Sequence, residues 1–475
     1  GIFEGTSLKH QQVSSSSGVY KYTDGIINLH SGFLRPFFRF QEERKPGSIN
    51  YSVFGSGISY QKENKSIKLG IDRREDNYLA FFDNEYVDKH SEDLISSLQY
   101  VNQNRTGWRN NLILKQRIKR FDNSVDNLNY LLGRIKLSYK KPERPLYFEL
   151  NASTERTQNE NYSIVYDSIG VGLGDYRYDN NFNTFIRDPN GAYVGYSVPT
   201  GDRIDMININ GFQRLVFDFE KLKGSPSLRL KMDTSYDYSG TKFDFNGFIE
   251  PIISDTTLYR SYMNNMIEID WKQNRSMDRV RAYNIFSYDL QGYDPRGNEL
   301  LKHLESGIDY HSSISTNTNL KVTGFYHNKD IESGFTSIRN RNVYGSWYEM
   351  SFSTKNRRNI DSEISIKYGK DRGRFYLNKF SAYGFGFEYN GRLYLGESGS
   401  LHSNVIWQKN NERSDIRILP PEALNGFTIG ENISVSTRVN YFFNKDMSFS
   451  LSIGYINNDR YNKLTTVLGE FRAYL

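Results

Sequence analysis

The sequence predicts an all-β chain whose strands follow one another in a single large antiparallel, up-and-down sheet. Three observations carry this prediction. Apolar and polar residues alternate with a period of two in many segments, the 11 prolines fall between these segments or at their starts, and no segment repeats its apolar residues with the helical period. Aromatic residues make up 15% of the chain, which favours strands over disorder.

The alternation is clearest in the second half of the chain. The stretch LRLKMDTSYDY, which begins at Leu228, has an apolar or aromatic residue at nearly every second position and mostly charged residues between them. ISVSTRVNYF, from Ile433, and SFSLSIGY, from Ser448, have the same pattern. Strands are predicted at 33–41, 50–61, 66–73, 95–103, 106–119, 130–140, 146–157, 204–219, 227–238, 262–271, 277–290, 302–313, 319–328, 341–353, 361–370, 380–390, 401–409, 431–442, 447–457 and 465–475.

The links between the predicted strands mostly alternate between short and long. Short links such as KKPER, KLKGSP and NKD alternate with long links at 74–94, 158–203, 239–261, 291–301, 329–340 and 410–430. This rhythm predicts a sheet with one tight end and one elaborate end, built of about 20 strands in a range of roughly 16 to 22.

The predicted apolar faces have no protein core to bury them. Only 37% of the residues are hydrophobic and the mean hydropathy is −0.68, and no apolar run approaches the roughly 18–20 residues that a transmembrane helix needs. An extended chain in hydrocarbon must pair every backbone N–H and C=O group, which only a closed sheet achieves. The sequence therefore predicts a transmembrane β-barrel with its apolar face toward lipid and its polar face toward the lumen.

The alternation assigns individual residues to these faces, and tyrosines at the ends of apolar faces are assigned to the membrane interface, where an apolar ring with a polar tip is favoured. The predicted lipid-facing residues are Leu228, Leu230, Ile433, Val435, Leu451 and Ile453, the predicted lumen-facing residues are Arg229, Lys231, Asp233, Arg279, Arg281, Lys367 and Arg438, and the predicted aromatic girdle contains Tyr139, Tyr368, Tyr389, Tyr441 and Tyr455.

The last predicted strand, VLGEFRAYL, alternates Val467, Gly469, Phe471, Ala473 and Leu475 on one face up to the terminal residue. In this ending the sequence resembles bacterial outer-membrane β-barrel proteins, which usually finish with an aromatic residue, and Leu475 departs from that pattern. The Asn-, Tyr- and Gly-rich composition is similar to that of proteins from the Bacteroidota. The resemblance implies a porin-like, multi-pass protein of the Gram-negative outer membrane, with short periplasmic turns, long extracellular loops and a periplasmic C-terminus.

The resemblance also implies an organisation and a set of partners. Residues 33–475 form the barrel, with the long loop 158–203, and residues 1–32 lie in the periplasm, in the lumen or in an extra hairpin of 17–22 with 25–30. The predicted partners are outer-membrane lipid and envelope protein subunits or lipoproteins. A plug or periplasmic domain before Gly1 is left open, and so is the substrate.

Three function classes follow from this interpretation. The first is a channel, transporter or translocation pore, or the membrane-embedded subunit of an envelope complex. The second is a surface scaffold or adhesin barrel that conducts nothing, and the third is a soluble or fibrous all-β surface protein. An enzyme is not expected, because no nucleophile motif stands in a strand–turn–helix context.

Several kinds of site are disfavoured. The net charge of +6, from 61 basic and 55 acidic residues, is scattered rather than concentrated as nucleic-acid binding requires. The chain has no cysteine, and its seven histidines lack metal-ligand spacing. GVGLG at 170–174 lacks the strand and helix of a dinucleotide site, so no cofactor is expected. Asp179, Asn181 and Asn183 are a weak calcium candidate without the Gly and closing Glu of a calcium loop.

Overall fold

A computed structural model gives the fold of the chain. The structure describes residues 3–15, 18–29, 33–45, 50–82, 85–104, 106–121, 128–170, 174–179, 184–255, 257–272, 278–292, 298–334, 339–356, 359–375, 378–396, 398–413, 419–444, 447–458 and 463–473.

The described residues are almost entirely β-structure. The strands are β1 Phe3–Ser15, β2 Gly18–Leu29, β3 Leu34–Arg44, β4 Asn50–Lys62, β5 Lys65–Phe82, β6 Glu85–Gln103, β7 Trp108–Phe121, β8 Leu128–Lys140, β9 Leu146–Ser168, β10 Gly174–Asp179, β11 Thr184–Gly191, β12 Tyr193–Asp218, β13 Leu228–Gly240, β14 Leu258–Lys272, β15 Arg279–Gln291, β16 Glu299–Ser315, β17 Thr318–Ser333, β18 Arg341–Asn356, β19 Ile360–Phe375, β20 Asn378–Tyr394, β21 Gly399–Glu412, β22 Gly430–Phe442, β23 Met447–Asn457 and β24 Leu464–Ala473. Helix α1 is Phe245–Ile249, and 3₁₀ turns occupy Phe219–Lys221 and Ala423–Gly426. Among the described residues, no helix is long and apolar enough to cross a membrane.

Each strand pairs antiparallel with the next strand in the chain, in one sheet. The exception is the hairpin of β10 and β11, which stands between β9 and β12 while those two strands pair directly with each other. Without this hairpin, the up-and-down sheet has 22 strands. The predicted all-β, antiparallel up-and-down architecture is therefore confirmed, at the upper limit of the predicted strand number.

The two ends of the sheet differ as the sequence predicts. One end carries tight turns, such as residues 63–64 between β4 and β5 and residues 316–317 between β16 and β17. The opposite end carries the longest connections, which are 169–192, 241–257 and 413–429. β24 runs from the elaborate end to the tight end, so the last described residues lie at the tight end.

Several strands run well past their predicted limits. The predicted link 74–94 is mostly strand, because β5 continues to Phe82 and β6 begins at Glu85, and the segment 158–203 contains the extended ends of β9 and β12. The predicted hairpin of 17–22 with 25–30 is wrong, because residues 18–29 form the single strand β2, which pairs with β1 on one side and β3 on the other. These extensions show no regular alternation of apolar and polar residues, and β5 ends in the continuous apolar and aromatic run at 78–82, so a period of two does not reveal them.

The sheet has one apolar face and one polar face. The apolar side chains are widely exposed, as are Ile308 at 59% and Val467 at 66% exposure, and ion pairs cover the opposite face. A soluble sheet would bury such an apolar face against a second layer, but most of this face is uncovered. The hydrophobic clusters of buried residues lie instead where connections fold back onto strands, as described below.

The first and last strands flank a seam. Among the described residues, no hydrogen-bonded ladder joins β1 to β24, and both strands are exposed along the parts whose side chains the structure describes. β1 runs from the tight end to the elaborate end and β24 runs in the opposite direction, so the two edges have the polarity of an antiparallel pair. Unpaired edge groups are costly in hydrocarbon, so we expect the membrane-embedded sheet to close here.

This closure is testable by cross-linking, because the chain has no native cysteine. Leu8→Cys in β1 is combined in turn with Val467→Cys, Gly469→Cys and Phe471→Cys in β24. One of these pairs should oxidise to a disulfide in protein folded in liposomes, because paired strands bring Cβ atoms within about 4.5 Å. The control pair, Leu8→Cys with Ile308→Cys, should stay reduced. Absence of any Leu8 cross-link to β24 would contradict closure at this seam.

Candidate functional site on the polar face of the sheet

A ladder of ion pairs crosses the polar face of β12 to β16. Asp233 accepts hydrogen bonds from Arg214 at 2.8 Å, and the Lys231 ammonium lies 2.8 Å from Asp233 and 3.1 Å from Glu268. Arg281 contacts the same Glu268 at 3.0 Å and also pairs with Asp309 on the next strand. Each of these six charges has at least one partner of opposite sign, so the ladder is a nearly neutral surface of paired charges.

The other predicted lumen-facing residues also lie on this face. Arg279 donates to Asp270 at 2.6 Å, Lys367 contacts Glu388 at 2.7 Å, and Arg438 donates to Ser452 at 2.9 Å. Arg229 lies 3.7 Å from Asp218. The structure thus places all seven predicted residues on one face and gives each a polar partner. That this face surrounds a lumen stays a prediction for the individual residues.

The predicted lipid-facing residues lie on the opposite face and meet one another across strands. Leu230 pairs with Ile269, and Leu228 pairs with Trp271. Toward the end of the chain Val435 pairs with Val405, and Val439 with Leu451. Ile433 pairs with Trp407, and Ile453 pairs with Val467.

The five predicted girdle tyrosines share the apolar face. Tyr139 packs on Trp108 with ring centroids 5.0 Å apart, and Tyr441 packs on Phe443 at 5.2 Å. Tyr368 pairs with Tyr348 and Phe385, Tyr389 with Val405, and Tyr455 with Val435. Tyr368 does not end its strand, because β19 continues to Phe375. The position of these rings at a membrane interface stays a prediction.

The architecture and the two faces together identify the class of protein. A long meander with one tight end, one elaborate end, an uncovered apolar face and a charged opposite face is the arrangement that separates lipid from water. The chain is a β-barrel of the bacterial outer-membrane type.

One long connection folds back onto the polar face of this barrel. Residues 419–429, the polar-face loop, lie over β18 to β21, and Leu424 is fully buried beside Val343, Trp347 and Phe380. Asp371 lies on the same face of β19 as Lys367, because it is four positions further along a strand whose side chains alternate between the two faces. With this face toward the predicted lumen, the loop would occupy space inside the barrel.

A buried carboxylate holds the polar-face loop. The Leu424 backbone N–H donates to Asp371 Oδ2 at 2.6 Å, the Trp347 indole N–H donates to Oδ1 at 3.1 Å, and His327 Nε2 lies 2.9 Å from Oδ1. Asp371 is fully buried. Gly345 stands opposite it, where a Cβ would overlap the carboxylate. We call Asp371, His327, Trp347 and Leu424 the latch.

Further contacts hold the loop around the latch. Arg341 pairs with Glu422 at 2.9 Å, and Gln408 and Asn410 donate to the carbonyl oxygens of Leu424 and Thr428. Leu424 has a left-handed backbone, with φ of 51°. Sequence reasoning missed this arrangement, because a single Asp in a polar stretch gives no signal that a distant N–H will meet it.

A second long connection lies on the apolar face. Residues 241–255, the apolar-face loop, carry helix α1, and Asp244 caps it by accepting from the N–H groups of residues 246 and 247. Tyr288 donates to the Phe248 carbonyl oxygen, and the loop covers Tyr238 and Leu290. Phe245 and Ile252 remain 61% and 62% exposed. This loop therefore extends the apolar surface at the elaborate end of the barrel.

The extended ends of β9 and β12 carry an aromatic cluster with the hairpin of β10 and β11. Tyr166 stacks on Phe185 with centroids 4.0 Å apart, and Tyr176 packs edge-on to Tyr166 at 4.9 Å. Beside the cluster, the Asp167 carboxylate accepts from the Tyr196 hydroxyl at 2.7 Å and raises the pKa of Tyr196. The cluster gives the outermost part of the chain a packed structure.

The calcium candidate falls mostly outside the described residues. Asp179 ends β10, and Asn181 and Asn183 lie outside the part of the chain that the structure describes. Within the described part, no group of three or more His, Asp or Glu residues could hold a metal ion.

Comparison with known proteins supplies structural neighbours and no family. No family model matches the sequence, and no curated protein matches it. The fold is similar to the FrpB iron transporter of Neisseria meningitidis (F3-3 variant; 8% identity, TM-score 0.40, 99% of this chain and 80% of that chain). It is also similar to the siderophore receptor PirA of Pseudomonas aeruginosa (8%, 0.38, 99% and 79%) and to the copper transporter OprC (10%, 0.38, 99% and 79%). At these identities and TM-scores the likeness carries no activity or substrate to this chain.

The assignment of the two faces predicts opposite effects of arginine at neighbouring positions. Ile453→Arg should destabilise the folded barrel in liposomes by about 2–4 kcal/mol if the residue lies near mid-bilayer, measured by urea unfolding. The matched control is Ser450→Arg on the same strand, whose cross-strand partners are Asn440 and Glu470. Ser450→Arg should unfold like the unaltered chain. Equal losses in both variants would contradict the assignment of the faces.

The latch predicts that one carboxylate controls the polar-face loop. Asp371→Ala leaves the Leu424 and Trp347 N–H groups buried without an acceptor, which should cost about 1–3 kcal/mol in unfolding free energy. Proteinase K should then cleave residues 419–429 faster while the rest of the barrel stays resistant. Asp361→Ala, near the other end of β19, is the control and should leave cleavage unchanged. Cleavage at the unaltered rate in Asp371→Ala would show that the carboxylate does not hold the loop.

Proposed function

We propose that the chain forms the wall of an outer-membrane channel or transporter and that its polar-face loop narrows the pathway. The hydrogen bond from the Leu424 N–H to Asp371 carries the proposal, because it holds a connection from the elaborate end against the charged face of the sheet. A loop that served only as a surface contact would have no need of a buried anchor on this face.

The size of the sheet supports a pathway. Barrels of roughly 16–18 strands enclose aqueous channels, and barrels of about 22 strands are wide enough to require a plug. The polar-face loop covers the wall near β18 to β21, while the wall of β12 to β16 presents its ion-pair ladder. Closing the remaining space requires a further segment or partner, for which envelope protein subunits or lipoproteins are the candidates.

A non-conducting surface scaffold is the second candidate function. The packed aromatic cluster on the extended ends of β9 and β12 favours it, because the extension continues beyond the length that a membrane strand needs. β12 has 26 residues, whereas about 9–11 residues span a bilayer. A soluble all-β protein is disfavoured by the uncovered apolar face.

Conductance in planar bilayers separates these candidates. The unaltered chain should give small or intermittent currents, and replacement of 419–429 by a Gly-Ser linker of equal length should give larger, stable currents because the constriction is removed. Asp371→Ala should give an intermediate increase.

The control replaces Phe245 and Ile252 of the apolar-face loop by serine, which alters a long connection on the opposite face. Its currents should match those of the unaltered chain. Silent bilayers for both the unaltered and the loop-replaced protein, each verified as folded by its gel mobility before and after heating, would favour the scaffold.

A further inference from the structure

A second feature of the polar face is a cavity in the first part of the chain. It has a volume of about 330 Å³ and lies against β2 to β8, away from the ion-pair ladder and the latch. Its charged lining residues are Arg39, Lys68, Asp72, Lys115 and Arg134.

Strand register aligns two of these residues, and glycines allow lining side chains to lie close to the sheet. Arg39 and Asp72 flank Gly55 in one cross-strand row. The neighbouring row contains Gly57 and Gly70, and the Phe37 ring lies where a Cβ at Gly57 would stand. The Asp72 carboxylate lies in the same way where a Cβ at Gly55 would stand, so these two glycines make room for side chains that line the cavity.

The charge of the cavity is unbalanced. Four basic side chains line it, and Asp72 is the only carboxylate among its described lining residues. Within the described part of the chain, none of the four basic side chains forms an ion pair. Lys68 lies over the Phe37 ring at 4.5 Å, and Arg39 donates to Gln41 at 3.4 Å. The Nε of Arg39 is buried without a hydrogen-bond partner.

Two neighbouring carboxylates on the same face, Asp93 and Asp76, do not offset this excess. Arg117 pairs with Asp93, and both Arg74 and Lys119 contact Asp76. These carboxylates are already shared with their own cations. Cations that line a concave, partly enclosed surface without carboxylate partners raise the local concentration of anions.

We propose that this cavity binds an oxyanion group, a phosphate or carboxylate, carried by a small solute on its way through the barrel. The proposal rests on the proposed function and names a substrate class for it. The guanidinium groups of Arg39 and Arg134 suit the planar, two-point recognition of such oxygens, and Lys68 and Lys115 add point charges. The volume exceeds that of inorganic phosphate and leaves room for an attached organic part. Because the cavity lies on the polar face, a dissolved solute rather than a lipid headgroup is the expected source.

The test measures binding in the full chain purified in a detergent free of phospholipid, so no transport is needed. Isothermal titration with citrate and with inorganic phosphate at low salt should detect binding that weakens as NaCl is raised, because the interaction is electrostatic. The double variant Lys115→Gln/Arg134→Gln should bind at least tenfold more weakly. Lys321→Gln, a polar-face lysine of β17 outside the cavity, is the matched control and should bind as the unaltered chain does.

The Asp72→Asn variant distinguishes a loss of anion binding from a general loss of the fold. Removing the only carboxylate of the described lining should strengthen anion binding several-fold, a gain that a damaged fold would not produce. Absence of binding by the unaltered chain, or equal affinity in the double variant, would overturn the proposal. Binding together with silent bilayers would uphold the site and reject the channel, whereas conductance without binding would do the reverse.

Discussion

The structure depends on one constraint, which is that every backbone N–H and C=O group of an extended chain must be paired where no water can reach it. The antiparallel ladder meets this constraint from β1 to β24 through contiguous registers with few irregularities. Side chains alternate between the two faces along such a ladder, so the register with the neighbouring strand decides which residues lie on which face. The alternation of Leu228 and Leu230 with Arg229 and Lys231 is therefore a consequence of the ladder, repeated strand by strand.

The elaborate end uses the two faces of the sheet for opposite purposes. The polar-face loop is held by a buried carboxylate that accepts from the backbone N–H of Leu424 and from the Trp347 indole. The apolar-face loop lies on the opposite face and covers Tyr238 and Leu290 while it exposes Phe245. A hydrogen-bonded anchor suits a surface in contact with water, and apolar packing suits the lipid side. The two connections therefore lie at the same end of the sheet but on opposite faces, and they are held by different interactions.

Charge is distributed unevenly over the polar face. In the ladder from Arg214 to Asp309 each cation has a carboxylate partner, and such a surface interacts weakly with a passing ion. In the cavity near Arg39 and Arg134 the cations form no ion pair within the described part of the chain, so their charge is available to a bound anion. This contrast divides the polar wall into a structural part and a part suited to recognition.

The sequence by itself determined the class of fold, the up-and-down order of the strands and the face on which each predicted residue lies. This was possible because the period-two alternation and the positions of turn residues can be read from short stretches of sequence, without knowing which strands pair. Only the tertiary structure decided which distant residues meet. Asp371 and Leu424 are 53 residues apart, and Arg39 and Arg134 line one cavity from β3 and β8, so neither arrangement leaves a local pattern. The ends of β5, β6, β9 and β12 were also not predicted, because their residues show no regular alternation of apolar and polar types.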